Sequence, residues 1–445
     1  MGQNFIRCDR EQAFLLPPDV RDWLPAEHLA RFVIAVVEQL DLSVIYGRYR
    51  SDGHGRAAYE PAAMTALLLY SYAVGVRSSR AIERRCVEDV ASRVLIAQHR
   101  PDHATIARFR ADHQDALSGL LLDVLALCRQ AGMVRLGTVA IDSTKLAANA
   151  SADANRTHDQ LRAEAERILG EAAATDARED ELFGDRRGDE LPDDLADPAG
   201  RPARIRELLE AARARREAIE REREEMQVRR AEHRARTGRA PVGRPPGARP
   251  SVKQRRALEQ KYNLTDPDSG VVRHRGMLMQ GYNVQTAVAD GQIIVAIRAT
   301  GTSPDQGQLA PTLAAAQANL ARIGATDRIE EVLADSGYWH GDQIDAVQAR
   351  GIRVLVPPTI NPKVRPDKLQ RRARQMRAVL ATGDGQRAYR RRQQIVEPVF
   401  AHIKHHRHIT RLLRRGRQAV QAELDLIATT HNLLKLYRHH AAAIA

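Results

Sequence analysis

Aromatic residues make up only 4% of this 445-residue chain, and its three cysteines, Cys8, Cys86 and Cys128, form no C-x-x-C pair. An odd and scattered set argues against a disulfide framework and a structural zinc, and suits a reducing cytoplasm. No run of 18 or more apolar residues is present, and Asp9 and Glu11 stand near the N-terminus where an export signal would be basic. Neither a membrane span nor export is therefore expected. Acid is also in deficit: 56 Asp and Glu face 69 Lys and Arg, a formal charge of +13. That imbalance points to a polyanionic partner such as nucleic acid. With 43% apolar residues the chain still buries a sizeable core, shared among about two or three domains.

From Met1 to about Val134 the apolar residues recur at helical spacing, as in Leu29, Phe32, Val33, Val36, Val37 and Leu40, or Met64, Leu67, Leu68 and Tyr72. Ser79 to Cys86 and Pro101 to His113, the latter with Asp102 as N-cap, read as two short basic helices joined by a turn, the pattern of a helix-turn-helix DNA reader. Arg77, Arg80, Arg84, Arg85, Arg108 and Arg110 are its candidate phosphate contacts; ordinary surface arginines are the alternative.

Gly137 to Ser151, G-T-V-A-I-D-S-T-K-L-A-A-N-A-S, changes the pattern. Val139, Ala140 and Ile141 read as a buried strand closed by Asp142. A carboxylate there is costly unless it is paired or holds a cation; the competing reading is a cap on the N–H of Thr144 or Lys145. After Ser151, Ala, Arg and Glu dominate to about Arg256, which reads as two long charged helices folded back through the acidic D-E-L-P-D-D-L-A-D-P-A-G. Arg236 to Pro250 reads as a basic linker.

Tyr282 to Ala289 and Ile293 to Thr300 then form a β-hairpin around Asp290 and Gly291. A helix from Gln308 to Arg322 leads to a second short apolar run, Val332 to Ala334, ending in Asp335. A helix (Gly341 to Arg350) and a strand (Arg353 to Pro357) follow. The order predicts an α/β domain, a mixed sheet flanked by helices, with Asp142 and Asp335 at the ends of neighbouring strands.

The last segment supplies a third carboxylate. Glu397 lies within the apolar stripe Ile395, Val396, Val399, Phe400 and Ile403, with Pro398 expected in the first turn of its helix. Lys404 is seven residues on, two α-turns along the same face. Between Val364 and Arg417 sixteen Lys and Arg meet three acids, a surface suited to a DNA backbone. Three carboxylates from distant segments are what two-metal phosphoryl transfer requires, and Mg²⁺ suits such hard ligands.

Taken in order, Y-E-P-A-A-M (Tyr59 to Met64), S-S-R-A-I-E (Ser78 to Glu83), P-D-H-A-T-I-A-R-F-R (Pro101 to Arg110), A-I-D-S-T-K-L-A-A-N-A-S, N-L-T-D-P-D-S (Asn263 to Ser269), G-Y-N-V-Q-T-A-V, A-D-S-G-Y-W and V-E-P-V-F-A-H-I-K are specific. The chain resembles, over its full length, the DDE transposases of bacterial insertion sequences, in the subfamily with an InsH-like helical N-terminal domain. The resemblance implies an RNase H-like catalytic domain. Its division would be 1–134 (helical, DNA-binding), 135–151 (first part of the catalytic domain), 152–272 (charged helical insertion with basic linker) and 273–445 (remainder of the catalytic domain). It makes Asp142, Asp335 and Glu397 the triad holding two Mg²⁺ ions, with Mn²⁺ as a substitute, and Lys404 the lysine of the Y-R-E-K signature. Tyr389 and Arg392 stand one residue further upstream of Glu397 than is usual, and Ser143 replaces a usual Gly.

The implied partners are double-stranded DNA, as terminal inverted repeats and as target, in a homodimer or larger synaptic complex at the bacterial nucleoid. Trp339, close behind Asp335, is a candidate for stacking on a base near the cut, against a plain core role. Two other readings compete: a catalytically silent transposase-derived DNA-binding protein, and a stand-alone RNase H-like nuclease, which would cut without joining.

Overall fold

The computed structural model describes residues 20–50, 57–163, 166–167, 201–238, 261–274, 276–359 and 367–444. Two compact units separate: residues up to 146 with 283–300 and 304 onward, and residues 147–282 with 301–303. The strands are β1 (Arg135–Ala147), β2 (Asn155–Arg156), β3 (Tyr262–Asn263), β4 (Gly270–His274), β5 (Met277–Asp290), β6 (Ile293–Thr300), β7 (Glu331–Ala334) and β8 (Arg353–Leu355). No helix among the described residues is long and apolar enough to cross a membrane.

The first unit begins with α1 (Leu29–Val37), α2 (Ser43–Tyr46), α3 (Pro61–Ala73), α4 (Ser79–Glu88), α5 (Val90–Leu95), α6 (His103–Asp112) and α7 (Gln114–Gln130). Pro61 starts α3, where its missing N–H costs nothing, and Met64 through Ala73 are buried all round, so α3 is the central helix of this part. α4 packs on α6, but they are not joined by a simple turn. α5 stands between them because the Asp89 side chain accepts from the Ser92 N–H at 2.9 Å and restarts the helix. The Asp102 cap of α6 is present, accepting from Thr105 N–H at 2.6 Å.

The sheet of this unit runs β6–β5–β1–β7–β8, with β1, β7 and β8 parallel and β5 antiparallel to β6. The β5–β6 turn has Gly291 at φ 84° and Gln292 at φ 67°, two left-handed residues in succession, the conformation that suits the twist of a tight hairpin. Helices α9 (Leu309–Arg322), α10 (Gly341–Gln348), α11 (Asp367–Ala381), α12 (Gly383–Ala401) and α13 (Arg417–Ile444) complete the unit. α13 packs on α7, α3 and β6, so the N-terminal helices and the sheet share one core through it.

Three local expectations need correction. β1 does not stop at Asp142 but runs on to Ala147; only its parallel ladder to β7 ends there, at Ile141 opposite Ala334. Pro398 does not sit in a first turn but three residues before the end of α12. Its ring removes the N–H that would have bonded the Gln394 carbonyl, and the Gln292 side-chain amide donates to that oxygen instead, at 3.1 Å. Beyond Ala401 the helix widens into a π-turn, His402–His406, so Lys404 is not two regular α-turns from Glu397.

In the second unit, β2 pairs with β3 and β4 pairs with the first half of β5. The Asn263 side chain donates to Ser151 O at 2.7 Å and to Asn155 Oδ1 at 2.9 Å, and accepts from the N–H groups of Thr265 and Asp266. Tyr282 O–H donates to Asp266 at 2.8 Å, so N-L-T-D-P-D-S ties the two ends of the insertion together. Helix α8 (Arg201–Thr237) belongs to this unit, with Leu208 and Ala212 packed on Leu161 and Tyr262. The acidic turn and most of the basic linker lie outside the described residues.

Candidate active site

The register of two parallel strands builds the site. Thr138 to Ile141 lie opposite Glu331 to Ala334, so Asp142 and Asp335 are the next residues on adjacent strands and leave the ladder side by side. Asp335 also caps the turn that follows, its Oδ1 accepting from Gly337 N–H at 2.9 Å. Asp142 Oδ1 accepts from Ser143 N–H at 2.7 Å, not from Thr144 or Lys145.

Burial pushes the Asp142 carboxyl up to about 6; the nearby Asp335 charge adds to this, while the Ser143 N–H and Arg392 oppose it. Asp335 is raised as well, first by burial and then by the charge of Asp305. Two half-buried carboxylates that disfavour each other's ionised form make a place where added positive charge is welcome.

Arg392 of α12 supplies some of that charge. Its Nη1 donates to Asp142 Oδ2 at 2.7 Å, and its Nη2 lies 3.8 Å from Glu397 Oε1. The Nε of the same guanidinium is buried without a hydrogen-bond partner. Tyr389 stands one turn earlier, its ring 5.9 Å from the guanidinium carbon. The one-residue shift of Tyr389 and Arg392 along the helix therefore leaves Arg392 still in the site. Glu397 itself is exposed, and Lys404 is half-buried in the π-turn.

A divalent cation fits this donor set in kind. Asp142 and Asp335 are hard oxygen ligands, and Gly337 leaves a cradle beside them: a Cβ there would stand 3.1 Å from Asp335 Oδ1 and 3.5 Å from Asp305 Oδ2. Glu397 is the third acid, facing Arg392; among the described residues no three acids, histidines or cysteines are drawn together as one metal-holding group.

Asp305 was not among the residues expected here. In T-S-P-D-Q-G it carries no periodicity and reads only as a turn acid after a proline. Folding makes it a hub: its Oδ1 accepts from Asn283 and Gln285 of β5, each at 2.8 Å, and from Lys145 of β1 at 3.1 Å. Lys145 also donates to Ser143 at 2.9 Å and Asn283 at 2.8 Å, and Tyr338 O–H donates to Gln285. Burial raises the Asp305 carboxyl, but these hydrogen bonds and the Lys145 charge outweigh it and hold it below the usual range.

The remaining candidates are spread out. Trp339 is buried, lining a cavity of about 230 Å³ between α10, β8 and α11 with Ile344, Met376 and Arg372. Arg80 and Arg108 are exposed on α4 and α6. Arg110 turns inward to Tyr72 O–H, Arg77 O and Ser79 Oγ. Arg77 is buried, bonded to Glu423 and to Arg411 O, and is a core ion pair rather than a phosphate contact.

Two family matches bear on these elements. Residues 18–112 match a transposase domain (DUF772), which spans α1 to α6. Residues 359–437 match a transposase DDE domain, which spans α11, α12 with Glu397, and Lys404. No curated protein and no solved structure matches the chain.

Proposed function

From these two transposase domains, which make the chain a DDE transposase of the insertion-sequence kind, we propose that it cuts double-stranded DNA at terminal inverted repeats and joins the freed ends to target DNA. The observation that carries this is the β1–β7 register, which sets Asp142 beside Asp335, with Arg392 of α12 bonded to Asp142 and 3.8 Å from Glu397. In this reading Asp142, Asp335 and Glu397 hold two Mg²⁺ ions, for which Mn²⁺ substitutes. When bound, the ions supply the charge that activates the attacking oxygen and stabilises the leaving one.

The chain's own side chains do the rest. The guanidinium of Arg392, whose Nε has no hydrogen-bond partner and whose Nη2 lies nearest Glu397, supplies positive charge toward a DNA phosphate at the site, with Tyr389 packed against it. Lys404 adds positive charge beyond Glu397, and the exposed Arg80 and Arg108 of the N-terminal helices serve the terminal repeats, with Arg110 bracing them from within. Trp339 reaches a base only if its cavity opens to the cut. Two copies, or more, bring two DNA ends together.

The test is cleavage and strand transfer with Mg²⁺ on DNA bearing the element's ends, comparing wild type with Asp142→Asn, Asp335→Asn and Glu397→Gln. Cutting and joining by wild type alone, with DNA binding kept in all three variants, supports the proposal. Variants that cut as well as wild type refute the triad. Cutting without joining would make the chain a nuclease.

A further inference from the structure

The Lys145–Asp305 pair has no assigned part in the chemistry, yet Asp305 stands beside Asp335 at Gly337. Lys145 and Asp305 are mostly buried, with side chains 15% and 17% exposed. If Asp305 were only a tie between strands, a neutral amide would accept the same hydrogen bonds from Asn283 and Gln285 without placing a second charge beside Asp335. Its two oxygens are also differently placed. Asn283, Gln285 and the shorter Lys145 contact meet Oδ1, whereas Oδ2 shares the Gly337 cradle with Asp335 Oδ1.

We infer that Asp305 and Lys145 are opposed positioning residues of the carboxylate centre, Asp305 strengthening and Lys145 moderating its hold on divalent cations. The inference rests on the proposed cation-holding role of Asp142 and Asp335. Neither residue of the pair is a ligand; each acts through the field it imposes on the Asp335 side of the cradle. Gln285 and Tyr338 fix the geometry, because Tyr338 belongs to the turn that Asp335 caps and donates to the amide that holds Asp305. A full charge about 6 Å away in a partly buried site changes the affinity for a cation by about tenfold or more.

The experiment is Mn²⁺ binding to the full chain without DNA, followed by loss of the free-ion electron paramagnetic resonance signal, with circular dichroism to check folding. Asp305→Asn should weaken binding by about tenfold, Lys145→Gln should strengthen it by a similar factor, and the double variant should return close to wild type. Opposite signs that cancel cannot come from loosened packing, which would weaken binding in both. Should Asp305→Asn fail to fold, Lys145→Gln decides alone: unchanged or weaker binding overturns the inference. Shifts of the same sign, or none, in the two single variants also overturn it. Mn²⁺ binding that Asp142→Asn leaves unchanged overturns the cation reading as well, and so separates the two failures.

Discussion

Asp142 should destabilise the fold that it serves, and Asp142→Asn measures by how much. Its carboxyl is raised from an ordinary 3.8 to about 6, chiefly by burial, with only 16% of the side chain exposed. Because the folded protein holds this proton more tightly than the unfolded chain, the stabilising contribution is complete below about pH 4 and is lost as pH rises through about 6. That difference corresponds to about 3 kcal/mol. Asn keeps an oxygen that accepts from Arg392 and removes the charge, so the variant should exceed wild type by about 3 kcal/mol at pH 8 and match it near pH 4. Urea unfolding at both pH values, in chelator, reads this directly. Added Mg²⁺ should then narrow the gap at pH 8 by stabilising wild type. A variant less stable than wild type at pH 8, or offset equally at both pH values, would refute the electrostatic account.

Asp425, pushed up to about 6 by burial on α13, provides a control away from the site: Asp425→Asn should gain about 3 kcal/mol at pH 8, nothing near pH 4, and show no response to Mg²⁺. Arg392→Ala removes a charge-assisted bond to Asp142, so Mn²⁺ affinity without DNA should rise about tenfold while DNA affinity falls; equal losses of both would contradict this. Gly75 has φ 83° and a Cβ there would stand 2.6 Å from the Arg407 carbonyl oxygen, so Gly75→Ala should cost about 3 kcal/mol in denaturant unfolding. Arg108→Ala should lower the salt dependence of DNA binding by about one ion with stability unchanged, whereas Arg77→Ala should unfold the protein more readily and leave the salt slope of the folded fraction intact.

The strands and helices around the site were legible because their patterns are local. Val139 to Ile141 and Val332 to Ala334 are short apolar runs, each closed by an acid, and the Tyr282 to Thr300 hairpin is marked by the Asp290-Gly291 pair that leads into its turn. The same patterns gave no account of Pro398, within α12: the carbonyl it orphans, that of Gln394, is satisfied by Gln292, 102 positions away from Gln394. Nor does basic density tell which of these cations are already engaged within the protein. Arg372 pairs with Asp342 and Asp345, Arg391 with Asp290, Arg392 with Asp142, and Arg407 is buried against the carbonyls of Tyr72 and Ile427.

By itself the sequence determined the order of the elements, the positions of Asp142, Asp335 and Glu397, and the positive balance, since each follows from periodicity, residue type or count. Tertiary structure decided which side chains meet. A one-residue slip between β1 and β7 would part Asp142 from Asp335, and nothing local sets that register; it is fixed by packing both strands into one sheet. Asp305 and Lys145 lie 160 residues apart and become partners only when β1, β5 and the loop after β6, which carries Asp305, come together. Their charges then matter because burial has removed the water that would have screened them.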